Sequence, residues 1–255
     1  INIMKKITLL FTFSLLVNFC FSQQQVIWLT YHDPVDGKSQ ELSNAIKDKT
    51  QKFNQDESGM KLYTYQVMAG PRQGQFLRVG LGPTWADLDN NSNTSKELDY
   101  WRDNVMQYIK SNSGREYFVS ADEASYDVSV PGSKTMGFVL HYNIAAGKDA
   151  HFWKVRRNVV KAIKESGEDI SLGVWNSVAG GPLNHVIVTF AQKDFKDFGN
   201  ANGKWVNVSN KYNEIYGSGS WKTDWDLFYG SLEMWGSSTE LTRFLSELSS
   251  PIPTN

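Results

Sequence analysis

Four histidines, His32, His141, His151 and His185, are the side chains of this sequence best suited to acid–base or metal chemistry near neutral pH. Their spacing does not suit a metal site held by the protein. Neither His151 nor His185 has a second histidine or a carboxylate at an HxxxH or HExxH interval. Haem is left open by spacing, because its iron needs a single axial histidine, which His32 or His141 could supply. Thiol chemistry rests on Cys20, the only cysteine. Nucleotide motifs are absent: Gly80-Leu81-Gly82-Pro83 does not continue as GxGxxG, and there is no GxxxxGKS or GxxxxGKT run. Gly217-Ser218-Gly219-Ser220 lacks the GxSxG order of a nucleophile elbow and reads as a flexible break. No catalytic group is assigned by these residues. What they offer is a set of candidates for holding a ligand.

A strand alternates its side chains between two faces. Along Val26–Tyr31 one face carries Ile27, Leu29 and Tyr31, and along Gly137–Tyr142 the matching face carries Phe138, Leu140 and Tyr142. These apolar faces are expected beneath helices. The alternate faces, Trp28, Thr30 and His32 against Val139, His141 and Asn143, are more polar and are expected to line a lumen or pocket. Tyr65 and Trp175 hold equivalent positions on the next strands. Arg78 stands where the second copy has Val188, and reads either as a group for an anionic substrate or as a surface charge beside a carboxylate. The candidate ligand-binding set is therefore Trp28, His32, Tyr65, Arg78, His141, Asn143 and Trp175, with no metal ligand and no cofactor beyond the opening for haem.

Those positions can be compared because the sequence repeats itself. Lys61–Gly70 lines up without a gap on Ser171–Gly180, and the register continues with Phe76-Leu77 over Val186-Ile187 and Trp85 over Phe195. In the first copy Val26–Tyr31 is a β-branched and aromatic run broken by Asp33-Pro34. Leu42, Ile46 and Phe53 place a helix over 39–54. Strands over 62–68 and 75–81 flank a turn at 69–74. Ser95 caps a second helix with the stripe Leu98, Trp101, Val105 and Ile109, and Glu116–Ser120 is the last strand. The second copy repeats the order: a strand over 137–142, a helix over 148–165, and a hairpin over 172–178 and 186–190. Its second helical part has two stripes. One is Trp205, Val208, Tyr212 and Ile215; the other is Trp221, Trp225, Phe228, Leu232 and Trp235, before a closing strand over Leu241–Leu245. The order β-α-β-β-α-β is the ferredoxin-like unit, so the fold class is α+β, with one repeat over 23–126, a linker over 127–135, a second repeat over 136–250 and a tail over 251–255.

Each unit covers one face of its sheet with helices and leaves the other bare, so two units cover their open faces by pairing. In this element order and duplication, over nearly all the sequence past residue 22, the chain resembles the dimeric α/β-barrel superfamily. The resemblance implies two ferredoxin-like repeats pairing their sheets into a pseudo-dimeric α/β barrel, as a monomer with internal pseudo-twofold symmetry. The superfamily includes cofactor-independent monooxygenases, haem-degrading enzymes, chlorite-dismutase-like haem proteins and stress-associated proteins without assigned chemistry, so it implies no single activity. The function expected first is binding of a small apolar or aromatic ligand between the two sheets. One alternative is an oxidative enzyme, either a cofactor-independent oxygenase or a haem protein using His32 or His141. Another is an interaction protein presenting Trp205, Trp221 and Trp225 as a contact surface.

Residues 1–22 read as a secretory signal: Lys5-Lys6, then the apolar run Ile7–Phe21, then the small residue Ser22. Phe19 is too large to precede a lipid-modified Cys20. The protein is expected to be exported, to the periplasm or outside the cell. Its formal charge of −1 would become two units more negative on loss of Lys5 and Lys6, which gives no electrostatic pull toward nucleic acid. No later apolar run approaches the roughly 20 residues of a membrane span.

Overall fold

The computed structural model describes residues 25–56, 61–82, 84–89, 95–129 and 132–252. The signal-like segment with Cys20, and 253–255 of the tail, lie outside the described residues. The first half comprises β1 (Val26–Pro34), α1 (Ser39–Phe53), β2 (Lys61–Ala69), β3 (Phe76–Gly82), α2 (Trp85–Asp89), α3 (Ser95–Tyr100), β4 (Ile109–Asn112) and β5 (Glu116–Ser120). The second comprises β6 (Met136–Ile144), α4 (Asp149–Ser166), β7 (Ser171–Ala179), β8 (His185–Gln192), α5 (Phe195–Tyr216), α6 (Ser220–Tyr229) and β9 (Leu232–Phe244). β1, α1, β2 and α2 begin at residues 26, 39, 61 and 85, and β6, α4, β7 and α5 begin 110 residues later, at 136, 149, 171 and 195.

The strands join in the order β3-β2-β9-β6-β8-β7-β5-β1-β4, and β3 also pairs with β1, so eight strands close on themselves while β4 extends from β1. All the pairings are antiparallel. Closure depends on two strands that cross between halves: β5 pairs with β7, and β9 with β2. The helices lie outside. On the second half Phe152, Val155, Val159 and Ile163 of α4 form one buried stripe against Val174 and Val188 of the sheet and Tyr212 and Phe228 of α5 and α6. On the first half Leu42, Ala45 and Ile46 of α1 pack with Phe76, Val105 and Leu248. A third cluster, including Leu29, Val67, Leu77, Phe118, Val139 and Ile187, fills part of the barrel. Each such aliphatic side chain contributes roughly 1.5–3 kcal/mol by leaving water.

β1 turns the other way round from expectation. Ile27, Leu29 and Tyr31 point into the barrel with Val139, Trp175 and Ile187. Trp28, Thr30 and His32 instead face the side that carries α1 and α3. In β6 the expectation holds, with Leu140 and Tyr142 in the helix-side core and Val139 in the barrel. The cause is register. Leu29 pairs with Val79 and Val139 with Thr189, two pairs related by the 110-residue offset, so Leu29 rather than Trp28 is the counterpart of Val139. Matching Ile27 to Phe138 is one residue out, and one residue reverses every side chain on a strand.

Three other elements differ. β1 continues through Asp33-Pro34. The Leu98–Ile109 stripe is not one helix: α3 stops at Tyr100, Trp101–Val105 form a π turn, Met106–Tyr108 a 3-10 turn, and Ile109 opens β4. α6 stops at Tyr229, so Leu232 and Trp235 belong to β9, which at 13 residues is far longer than Leu241–Leu245. The β-rich run Ser237–Arg243 is held by β6 on one side and extended by β2 on the other, and this pairing outweighs the helical spacing of the aromatics.

Candidate functional site

Two cavities border β1, one on each face. The first lies on the first half between sheet and helices and encloses about 260 Å³. The buried stripe of α1 turns polar here: Lys49 and Thr50 stand where α4 has Val159 and Val160. β1 contributes Trp28, Thr30 and His32, β3 contributes Arg78, and the α3 region contributes Glu97 and Trp101. The π turn that begins at Trp101 widens the helix where its ring meets His32, with centroids 5.3 Å apart. Lys49 is hydrogen-bonded to both Glu97 and Asn54. Arg78 Nη2 lies 3.2 Å from Thr50 Oγ1, while Arg78 Nη1 and His32 Nδ1 are buried without a hydrogen-bond partner among the described residues. Arg115 lies over the Trp28 ring at 4.1 Å. Arg78, Lys49 and Arg115 thus face one carboxylate, Glu97, among the described residues of the cavity.

The charges respond to that imbalance. Burial, with the field of Arg78 and Arg115, lowers His32 to about 3. Burial and Arg78 bring Lys49 down to about 8 although Glu97 opposes them, and burial brings Arg78 to about 10. His32 is therefore a neutral imidazole, and the cavity favours an anion.

The second cavity is the lumen, of about 380 Å³. Tyr63, Tyr65 and Trp175 give it aromatic walls, and Ile27, Leu29, Leu77 and Val139 aliphatic ones. Tyr31 belongs both to this wall and to a polar network beyond it. Its hydroxyl donates to Glu240 Oε2 at 2.9 Å, and Arg72 lies over its ring at 3.9 Å. Arg72 Nε donates to Glu240 Oε1 at 2.7 Å, and Arg72 Nη2 is 3.0 Å from His141 Nε2. His141 Nδ1 is 3.0 Å from His185 Nε2, whose Nδ1 lies 3.3 Å from Glu116. Burial raises Tyr31, and the adjacent Glu240 charge raises it further. Burial also pushes the Glu240 carboxyl up, but hydrogen bonds from His141 and Arg72 more than offset this and hold it below its ordinary range. His141 is lowered, chiefly by burial.

The seven sequence candidates are thus divided. Trp28, His32 and Arg78 gather in the helix-side pocket rather than in the lumen, and Arg78 is buried rather than a surface charge. Tyr65 and Trp175 line the lumen, and His141 joins the network. Asn143 lines neither cavity. Sequence reasoning missed Lys49 and Glu97, which look like the charges of a solvated helix face, and Arg72, Glu116, His185 and Glu240, which meet only across the barrel. A charge at an inward position of β9 is the one local signal for Glu240. The linker was also missed as lining: Val128, Ser129, Gly132 and Lys134 border the lumen.

Among the described residues no group of three or more His, Cys, Asp or Glu side chains is placed to hold a metal ion. Haem does not fit either histidine as placed. Both His141 ring nitrogens face protein partners. The cavity beside His32 is smaller than the roughly 300–1,000 Å³ of ordinary small-molecule pockets, and its walls are charged. The equivalent slot of the second half is filled by Tyr142, Phe152 and Phe228.

No family model matches the chain, and no curated protein matches it. Solved structures do match. A candidate monooxygenase from Fusobacterium nucleatum aligns with TM-score 0.63 and 12% identity over 88% of this chain and 94% of its own. An anthrone oxidase-like protein aligns with TM-score 0.58 and 8% identity over 88% and 92%. A mutant chlorite dismutase from Candidatus Nitrospira defluvii aligns with TM-score 0.52 and 11% identity over 90% and 94%. At such identities the likeness is one of fold.

Proposed function

We propose, for a chain with the dimeric α/β-barrel fold, that it binds a small apolar or aromatic molecule in the lumen between its two half-sheets. The support is the open volume: about 380 Å³ stays clear inside an eight-stranded barrel, a size that side chains alone can fill. The walls are mostly apolar. Native mass spectrometry of protein purified from its own cells, with displacement of an environment-sensitive naphthalene dye, tests this. Dye binding that is lost in Thr189→Phe is the expected result. Unchanged dye binding in a folded Thr189→Phe protein puts the ligand elsewhere and ends the proposal.

Oxygen-dependent oxidation of a small phenol or enol is the second function the geometry favours. Neighbours described as a candidate monooxygenase and as anthrone oxidase-like prompt it. The specific observation is the helix-side pocket, where Arg78 and Lys49 are placed to stabilise an oxyanion. Oxygen uptake with anthrone or hydroquinone, without added metal, is the measurement. Uptake that disappears in Arg78→Met is expected; no uptake by the wild type, or equal uptake by the variant, removes this function.

A further inference from the structure

The lumen is lopsided, and the 110-residue offset shows how. At four pairs of equivalent lining positions the first half carries Ile27, Tyr63, Val79 and Leu81, while the second carries Gly137, Gly173, Thr189 and Ala191. The space is therefore opened by small residues of the second half. Glycine within a strand weakens it, and often marks a place where something approaches the backbone closely. Here a Cβ on Gly173 would come 2.7 Å from Thr189 Oγ1, and one on Gly137 would come 2.6 Å from Thr242 Oγ1.

Hydroxyl groups line both halves, those of Tyr63 and Tyr65 on the first and those of Ser171, Thr189 and Thr242 on the second. Thr189 and Thr242 are held loosely, their hydroxyls 3.3 Å from the carbonyls of Gly173 and Gly137. Ser171 lines the cavity beside them. Among the described residues lining the lumen, Lys134 is the only charged one. Its side chain is 15% exposed, and its carboxylate partner, Asp169, is 67% exposed and 3.5 Å away, beyond the usual N–H···O distance. A purely apolar ligand would bury this side chain further and would itself offer the ammonium no acceptor besides that distant carboxylate.

From this asymmetry, and resting on the lumen site proposed above, we infer that the ligand is an amphipathic carboxylate. Its aromatic or alkyl body lies on the bulky first-half wall, and its carboxylate accepts from Lys134 and from the threonine and serine hydroxyls of the second half. A charge-assisted contact in a site shielded from water is stronger than a neutral one, so the anion should be preferred over its neutral isostere.

Calorimetric titration with 2-naphthoate and with its neutral isostere, methyl 2-naphthyl ketone, tests the ligand class. Naphthoate should bind about tenfold or more tightly than the ketone, the range of one hydrogen bond to a charged group. Lys134→Met should bring naphthoate down to the level of the ketone and leave the ketone unchanged. Equal binding of the two probes to the wild type, or naphthoate binding unaffected by Lys134→Met, overturns the carboxylate assignment alone. Thr189→Phe should abolish binding of both probes, with Ala191→Leu as the milder substitute if it fails to fold. Binding of both probes that persists in these folded variants overturns the lumen site itself, and absence of heat with either probe overturns the assignment.

Discussion

Burial and the nearby cations Arg78 and Arg115 hold His32 at about 3, far below its ordinary 6.5. The unfolded chain therefore binds a proton on His32 at pH values where the folded chain does not. That contribution to stability is fully present above pH 6.5 and is lost as pH falls from 6.5 toward 3, at up to about 1.4 kcal/mol per pH unit. His141, also lowered by burial, acts in the same direction. Glu240, held low by His141 and Arg72, adds its loss only at more acid pH. Urea melts between pH 7 and pH 4 should show wild-type stability falling, and His32→Phe should have the shallower slope. Equal slopes for the two proteins would mean that His32 is not held neutral. The second half already carries the aromatic Tyr142 at this position, so the fold itself does not require a histidine there.

At the scale of elements, α1 and α4 were legible because Leu42, Ile46 and Phe53, and Phe152, Val155, Val159 and Ile163, recur at helical spacing. β9 was not, because Trp225, Phe228, Leu232 and Trp235 keep that spacing across a real helix end. Tyr142 pairs with Ser237 and Ile144 with Leu232, so 233–236 bulge from β9 opposite Asn143. Within that bulge Trp235 has φ +60° and is 93% exposed. A bulky side chain in the left-handed region costs roughly 1–2 kcal/mol with no burial in return. Trp235→Gly should raise stability by about 0.5–1 kcal/mol, read as a higher urea midpoint at constant slope. A lower midpoint would show that the tryptophan makes a compensating contact. Trp205, Trp221 and Trp225, by contrast, are half-buried against the second-half core rather than projecting as a contact surface.

The whole molecule depends on the two crossings, β5 to β7 and β9 to β2. A first half made alone would lose the partners of β2 and β5, and a second half those of β7 and β9, leaving unpaired edges beside an apolar inner face. The linker over 127–135 holds the halves at high effective concentration, and we propose that the barrel closes within one chain, as a monomer. Division of the chain at that linker should give two fragments that are each insoluble when expressed alone and that form one soluble complex when co-expressed, as read by size-exclusion chromatography with light scattering. A fragment that folds by itself as a stable monomer would be incompatible with the crossings.

The sequence by itself determined α1, α4, the hairpins β2–β3 and β7–β8 and the register between the two halves, and its resemblance to the dimeric α/β-barrel superfamily implied the barrel. Those features are local: periodicity within about twenty residues, turn residues between strands, and a repeat that needs no contact to be seen. Only the tertiary structure decided which face of β1 looks inward, because a one-residue register is set by partners on β3 and β5. It also decided that Lys49 and Arg78 are buried together, that Tyr31, Arg72, His141 and Glu240 form one network, and that Lys134 of the linker borders the lumen. Each of these joins residues far apart in the chain, and no short-range pattern specifies where barrel closure will place them.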